Sequence, residues 1–342
     1  MNKYKNKGLT GIGNLGNTCY LNSVTQIYSN ILVFNDFLDN LSNLNKNIDS
    51  LLLIEYNEMR KILWNKNVIV IPKRYVSMIF KVYKEKNYSD FSSYNQNDFM
   101  EFYQLLNEAF HNSLKNVSTY NFDFMNDFNN SITKIKTNNE KKYIQYLNSI
   151  FKNDYSIIND LFNGIIELTI VSKDKKRKLS TTYDIFNCMS LGLDKKNTTI
   201  NQLIQNYFNA ELLDGDNMWY NDKTNQKEEV YRCINLKRLP KILCIHLKRF
   251  TNNLRKIRQN IEFDTKLKLN EYFINKKYNK DLTYELYGLV MHTGSLNGGH
   301  YYVIIKNPNN KWYNYNDTNV NEVNLTNINL SYVYCLFYKL LL

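Results

Sequence analysis

The sequence predicts an α+β fold, helical in its first part and β-rich later. Three observations carry this. Up to about residue 160 apolar residues recur at helical spacing. From about Leu161 they gather in short β-branched and aromatic runs divided by turn signals. The 342 residues, 43% hydrophobic and 14% aromatic, also give ample core for one large domain or two smaller ones.

The elements follow in order. A glycine-rich opening leads to Thr18, from which a helix is predicted to about Leu38, with Leu21, Val24, Ile27, Tyr28 and Ile31 on its apolar face and Asn17 or Thr18 as N-cap. Cys19 would sit in the first turn, where free amide donors and the helix dipole favour a thiolate. A second helix is predicted over 97–114, with Phe99, Phe102, Tyr103, Leu106 and Phe110 on one face. Residues 116–160, rich in Asn, Lys and Asp with weak periodicity, read as a partly helical connector. Strands are predicted over 165–171, 241–250, 285–292, 300–306 and 332–340. No internal repeat is evident.

Composition excludes several classes. No apolar run reaches transmembrane length, and the opening residues lack the apolar stretch of a signal peptide, so no membrane partner is expected. The five cysteines (Cys19, Cys188, Cys233, Cys244, Cys335) are odd in number and form no Cys-x-x-Cys, which argues against a disulfide framework and for a reducing cytoplasmic or nuclear location. The net charge of +12 raises nucleic acid as a partner. The lysines are spread without a recognisable module, so no nucleic-acid partner is expected.

Glycine marks the candidate site. Eight of the eleven glycines fall in two clusters. Gly8, Gly11, Gly13 and Gly16 precede Cys19; Gly288, Gly294, Gly298 and Gly299 precede His300. Glycine serves where backbone takes unusual dihedrals or approaches something closely, so a thiolate–imidazole pair is the leading candidate. Gly11–Gly16 also matches G-x-G-x-x-G, but no strand can precede it, and that motif needs one. His111 ends an amphipathic helix and His246 lies in an apolar strand, both structural contexts. His292 and His300 flank the Gly-rich loop, as an exposed general base would. The other four cysteines sit in apolar or strand-like contexts and read as small hydrophobes. A third group must orient the imidazole, and Asn316 and Asp317 are both candidates.

These segments resemble the ubiquitin-specific protease family. Gly16-Asn17-Thr18-Cys19-Tyr20-Leu21-Asn22-Ser23 is similar to its cysteine box. Leu289–His292, Gly298–Val303 and Trp312–Val320 resemble its histidine box. Gln96–Phe102, Leu239–Phe250 and Tyr332–Tyr338 resemble intervening and closing elements, in family order from residue 8 to about 340. The resemblance implies a papain-like fold in a single catalytic domain, 1–342, with a helical thumb over about 8–155 and palm and fingers over about 156–342. It implies Cys19 as nucleophile, His300 as general base, Asn316 as orienting residue assisted by Asp317, and Asn14 as oxyanion donor. Asp98, His292, Gly299 and Tyr301 would line a channel for the ubiquitin tail, the glycines keeping it narrow and clear. Ubiquitin and ubiquitinated proteins are the implied partners, and a monomer is expected.

Two departures stand out. The family's finger Cys-x-x-Cys pairs are replaced by Val171–Lys176 and Trp219–Asn225, without cysteine, so no zinc and no other cofactor is expected. The chain is also basic, so a basic tail would need a locally acidic channel, with Asp98, Glu101 and Glu167 as sources. Alternatives are a protease for another ubiquitin-like modifier and a ubiquitin-binding scaffold without turnover.

Overall fold

A computed structural model describes residues 2–116, 138–152, 154–251, 253–273, 282–295 and 298–341. Part of the expected connector, 117–137, and two residues of the Gly-rich loop, 296 and 297, lie outside them. The α+β order holds. Five helices come first: α1 (Cys19–Ser29), α2 (Leu32–Asp39), α3 (Ile48–Asn65), α4 (Lys73–Glu85) and α5 (Phe99–Leu114). Two more, α6 (Asn138–Phe151) and α7 (Ile157–Phe162), fall in the connector. The connector is thus more helical than its composition suggests, because Ile144, Leu147 and Phe151 find a buried face.

The single helix expected from Thr18 to Leu38 is two. Apolar spacing runs through the break, but tertiary contacts end α1. Ser29 O accepts from Trp64 Nε1 (2.8 Å) and Asn35 Nδ2 (2.6 Å) instead of continuing the ladder. All eleven residues of α1 are buried, its polar ones included. Each polar side chain in such a helix needs a partner, and Gln26 Nε2 donates to Thr10 O at 2.8 Å.

β1 (Gly11–Ile12) and β2 (Ile69–Val70) form a short parallel pair beside the opening loop. The next strands are β3 (Gly164–Ser172), β4 (Lys178–Phe186) and β5 (Met189–Gly192), followed by helix α8 (Ile200–Phe208). Then come β6 (Glu211–Leu213), β7 (Trp219–Asn221), β8 (Gln226–Glu228), β9 (Val230–Arg238), β10 (Ile242–Lys248) and β11 (Lys266–Lys268). The chain closes with β12 (Thr283–Ser295), β13 (Gly298–Lys306), β14 (Trp312–Asn316), β15 (Asn319–Glu322) and β16 (Val333–Leu341). All five expected strands are present.

The large sheet runs β15-β14-β13-β12-β16-β10-β5, with β11 on β12. It is antiparallel except for the β10–β5 pair. Alternate residues face opposite sides. Val290, Val303, Cys335 and Phe337 pack with the helices, while Leu289, Ile304, Leu336 and Tyr338 pack with Ile200, Leu203 and Ile204 of α8. The helical layer thus lies on one face, and α1 crosses β13 there.

A second sheet runs β4-β3-β9-β6, and β7–β8 is a separate hairpin. Polar turns close the segments where the resemblance would place zinc ligands. Ser172 N donates to Arg177 O (2.9 Å), and Asn221 Nδ2 donates to Glu228 (2.7 Å). No helix among the described residues is long and apolar enough to cross a membrane.

Candidate active site

Cys19 opens α1 and is buried. Thr18 is the N-cap residue, yet its side chain does not cap the helix. Its hydroxyl turns back to the loop, accepting from Leu15 N (2.9 Å) and donating to Asn14 Oδ1 (3.1 Å). The helix start therefore keeps its amide donors and positive dipole end beside the sulfur.

His300 stands near the start of β13. Its Nε2 donates to Asn316 Oδ1 at 2.7 Å, leaving Nδ1 for Cys19. The imidazole pKa is pushed up to about 9, chiefly by hydrogen bonding to Cys19; desolvation opposes this, while Asn316 and the Asp317 charge add to it. The ring therefore stays protonated at neutral pH. Asn316 ends β14, and Asp317 begins the two-residue turn to β15 with φ +50°. Asp and Asn tolerate that left-handed conformation better than most residues. Of the two residues left open by sequence, Asn316 contacts the ring directly, and Asp317 lies 3.9 Å from Nε2.

The carboxylate of Asp317 serves the opening loop instead. Its Oδ2 accepts from Asn14 Nδ2 (3.0 Å) and its Oδ1 from Asn22 Nδ2 (2.8 Å). Asn14 cannot turn over, because its Oδ1 already accepts from Gly16 N, Thr18 N and Thr18 Oγ1. One Nδ2 hydrogen of Asn14 is thus committed to Asp317, and the second remains for a ligand. Asn22 was missed by sequence. It is buried in α1 and also reaches Ile12 O and Gly13 O. Its only signal was a polar residue in the second turn of an apolar helix.

A cleft of about 220 Å³ leads to Cys19, lined by Asn17, Gln96, Asp98, Glu101, Phe250, His292, Gly299 and Tyr301 among others. All four residues expected along a channel are therefore in its wall. Asp98, the N-cap of α5, is saturated internally: Oδ1 accepts from Met100 N and Glu101 N, and Oδ2 from Tyr301 OH (3.0 Å) and Tyr334 OH (2.7 Å). It braces the wall from within. His292 is not an exposed base. It is 3% exposed, with a pKa pushed down to about 4 by burial and by Lys256. Gln96 bridges the cleft, donating to Gly299 O (3.4 Å) and accepting from Gly299 N (3.3 Å).

Two expectations need correction. Glu167 contributes nothing to the cleft: it is buried in β3, where Lys178 (2.9 Å) and Lys237 (3.9 Å) neutralise it. Nor are the glycines mainly channel clearance. A Cβ on Gly11 would meet Thr318 O at 2.3 Å, so this glycine packs the opening loop onto the β14–β15 turn. At Gly299 both reasons apply, since a Cβ there would lie 2.1 Å from His292 Nε2 inside the cleft. His111 and His246 are structural as expected: His111 Nδ1 bonds Ser156 Oγ (2.9 Å), and His246 packs on Tyr334. Among the described residues no group of three or more His, Cys, Asp or Glu could hold a metal ion.

This geometry has relatives. The Drosophila melanogaster ubiquitin carboxyl-terminal hydrolase Usp2 is 30% identical over 345 residues, covering 98% of this chain and 35% of its own length. Human ubiquitin carboxyl-terminal hydrolase 2 is 28% identical over 362 residues, covering 99% and 56% respectively. The chain thus spans about a third to just over half of these relatives. Among solved structures, the SAGA DUB module of Ubp8, Sgf11, Sus1 and Sgf73 bound to monoubiquitin matches with a TM-score of 0.75 at 22% identity, covering 100% of this chain and 71% of the matched one. A yeast SAGA DUB module matches with a TM-score of 0.72 at 22% identity, covering 99% and 70%. These likenesses show the fold, which is papain-like. The profile of the ubiquitin carboxyl-terminal hydrolase family matches residues 10–338, and the chain belongs to that family.

Proposed function

We propose that this chain is a thiol-dependent deubiquitinase cleaving the bond after the C-terminal glycine of ubiquitin. The observation that carries this reading is the hydrogen bond between Cys19, at an uncapped helix start, and a His300 ring held by Asn316. Cys19 attacks the glycine carbonyl as the thiolate. The oxyanion takes the free Nδ2–H of Asn14 and the amides at the start of α1, donors set in place before the charge develops. Asp317 holds Asn14 at the required angle. His300 gives its proton to the departing lysine amine, leaving a thioester on Sγ. It then takes a proton from water as the thioester is hydrolysed and the free thiolate–imidazolium pair returns.

The cleft wall formed by Asp98, His292, Gly299 and Tyr301 would hold the extended tail. On this reading residues 1–342 form one catalytic domain, with the thumb over about 8–155 and palm and fingers beyond, acting as a monomer inside the cell. Its fingers need no zinc, and chelators should leave melting temperature and turnover unchanged; stoichiometric zinc in the purified protein would contradict this. The reading is tested by hydrolysis of a ubiquitin C-terminal fluorogenic amide. Cys19→Ala should lose turnover while keeping ubiquitin binding, and near-normal turnover in that variant would remove Cys19 from its role.

A further inference from the structure

Residues 249–251 and 253–259, between β10 and β11, border the cleft through Phe250. Arg249 anchors them. It is fully buried, and its guanidinium donates to Val333 O, Ile257 O, Gln259 O and Leu330 O. This fixes the backbone on one side of Lys256 and directs the lysine inward. Both hydrogen bonds of Lys256 Nζ go to one residue: 2.6 Å to His292 O and 3.0 Å to His292 Nδ1. Among the described residues no carboxylate pairs with this ammonium, and Arg249 and Arg258 face it as like charges.

An ammonium has donors only, so the Nδ1 it contacts must offer a lone pair. The imidazole is then neutral, with its proton on Nε2. That nitrogen lies over Gly299, in the cleft wall, where the absence of a side chain leaves it accessible. It has no partner among the described residues. We propose that Lys256 is a positioning residue for substrate recognition, holding His292 as a neutral imidazole whose Nε2–H donates to a backbone carbonyl of an extended peptide in the cleft.

The surroundings agree. The groups facing the His292 ring are Lys256, Asp98, His300, Tyr301 and Tyr334, with Phe250 on its edge. Tyr301 and Tyr334 donate their hydroxyls to Asp98, whose charge alone favours a second proton on the ring; burial, Lys256 and His300 outweigh it. A cation beside the ring opposes a second proton. With its pKa pushed down to about 4 and that of His300 pushed up to about 9, His292 is neutral and His300 charged between those values, and the two histidines divide donor and acid roles.

The peptide's identity as a ubiquitin tail rests on the deubiquitinase reading; the state of the ring does not. The test uses the full chain with 15N-labelled histidine, followed by long-range proton–nitrogen NMR from pH 5.5 to 8, with His292→Gln to assign the signal. The parent should show His292 as the Nε2–H tautomer up to about pH 7, below the value of about 8 to which burial lowers the Lys256 pKa. Lys256→Met should release the tautomer or raise the ring's titration into this range, and raise KM for a ubiquitin amide roughly three- to tenfold, the worth of one hydrogen bond, with kcat little changed. Lys256→Gln, which can still donate to Nδ1, should restore both. A proton on Nδ1 in the parent, or unchanged NMR and KM in Lys256→Met, would overturn the proposal. No turnover of ubiquitin amide by the folded parent would sink the deubiquitinase reading, and the ring measurement would still decide the proposal.

Discussion

Replacing Asn22 by alanine isolates the link between helix α1 and the catalytic turn. The change removes a 2.8 Å donor to the Asp317 carboxylate and two long contacts, 3.3 and 3.4 Å, to Ile12 O and Gly13 O. A hydrogen bond to a charged acceptor contributes about 1.5–3 kcal/mol, and the long contacts add little. Alanine returns about 0.6 kcal/mol through helix propensity. The net loss of stability should therefore be about 1–2 kcal/mol, read by urea unfolding. Asp317 keeps Asn14 on its other oxygen but loses half of its support. Complete loss of an oxyanion donor costs about 3 kcal/mol of barrier; partial misalignment should lower kcat about tenfold with KM unchanged. Alkylation of Cys19 by iodoacetamide, which forms no oxyanion, should stay near the parent rate. A loss of stability with normal kcat would show that Asn22 only supports the fold. No change in either would refute the hydrogen bond itself, and a double-mutant cycle with Asp317→Ala should give a coupling of about 1–2 kcal/mol.

Other consequences follow from the same geometry. Because the His300 pKa is raised to about 9, the proton-dependent part of its contact with Cys19 is fully present below the ordinary histidine value and is lost as pH rises through about 9. The profile of kcat/KM should fall there, and Asn316→Ala should move that limb to lower pH; an unmoved or higher limb would remove Asn316 as a partner. Gly299→Ala should displace His292, weakening substrate binding and costing about 1–3 kcal/mol of stability through overpacking. Normal KM and thermal stability would contradict the close approach. Arg249→Lys should destabilise by more than about 2 kcal/mol in urea unfolding, since one ammonium cannot satisfy four carbonyls. Retained stability would argue against the clamp.

The parts legible in sequence are those whose constraint is local. Glycine clusters exposed Cys19 and His300 because close backbone approach leaves a mark on composition. Strands β3, β10, β12, β13 and β16 were legible because each alternates toward two apolar layers. The end of α1 was not, since it is set by Trp64, 35 residues away, and by the side chain of Asn35, which in sequence reads as one more polar residue of the same helix. Asn22 looked like any asparagine in an Asn-rich chain. Its meaning depends on Asp317, 295 residues away. Glu167 failed for the mirror reason: its charge was visible, but its burial against Lys178 and Lys237 was not. Lys256 gave no signal, since only the Arg249 clamp turns it inward.

The central claim is that Cys19 and this cleft together act on the ubiquitin C-terminus. The most direct measurement is covalent labelling by ubiquitin carrying a thiol-reactive C-terminal group, read by intact-mass spectrometry, with parent and Cys19→Ala compared and another ubiquitin-like modifier probe run alongside. A single ubiquitin adduct on the parent, mapped to Cys19 and absent from the variant and the other probe, is the predicted result. No adduct on folded parent, an adduct on another cysteine, or preference for the other probe would contradict the account.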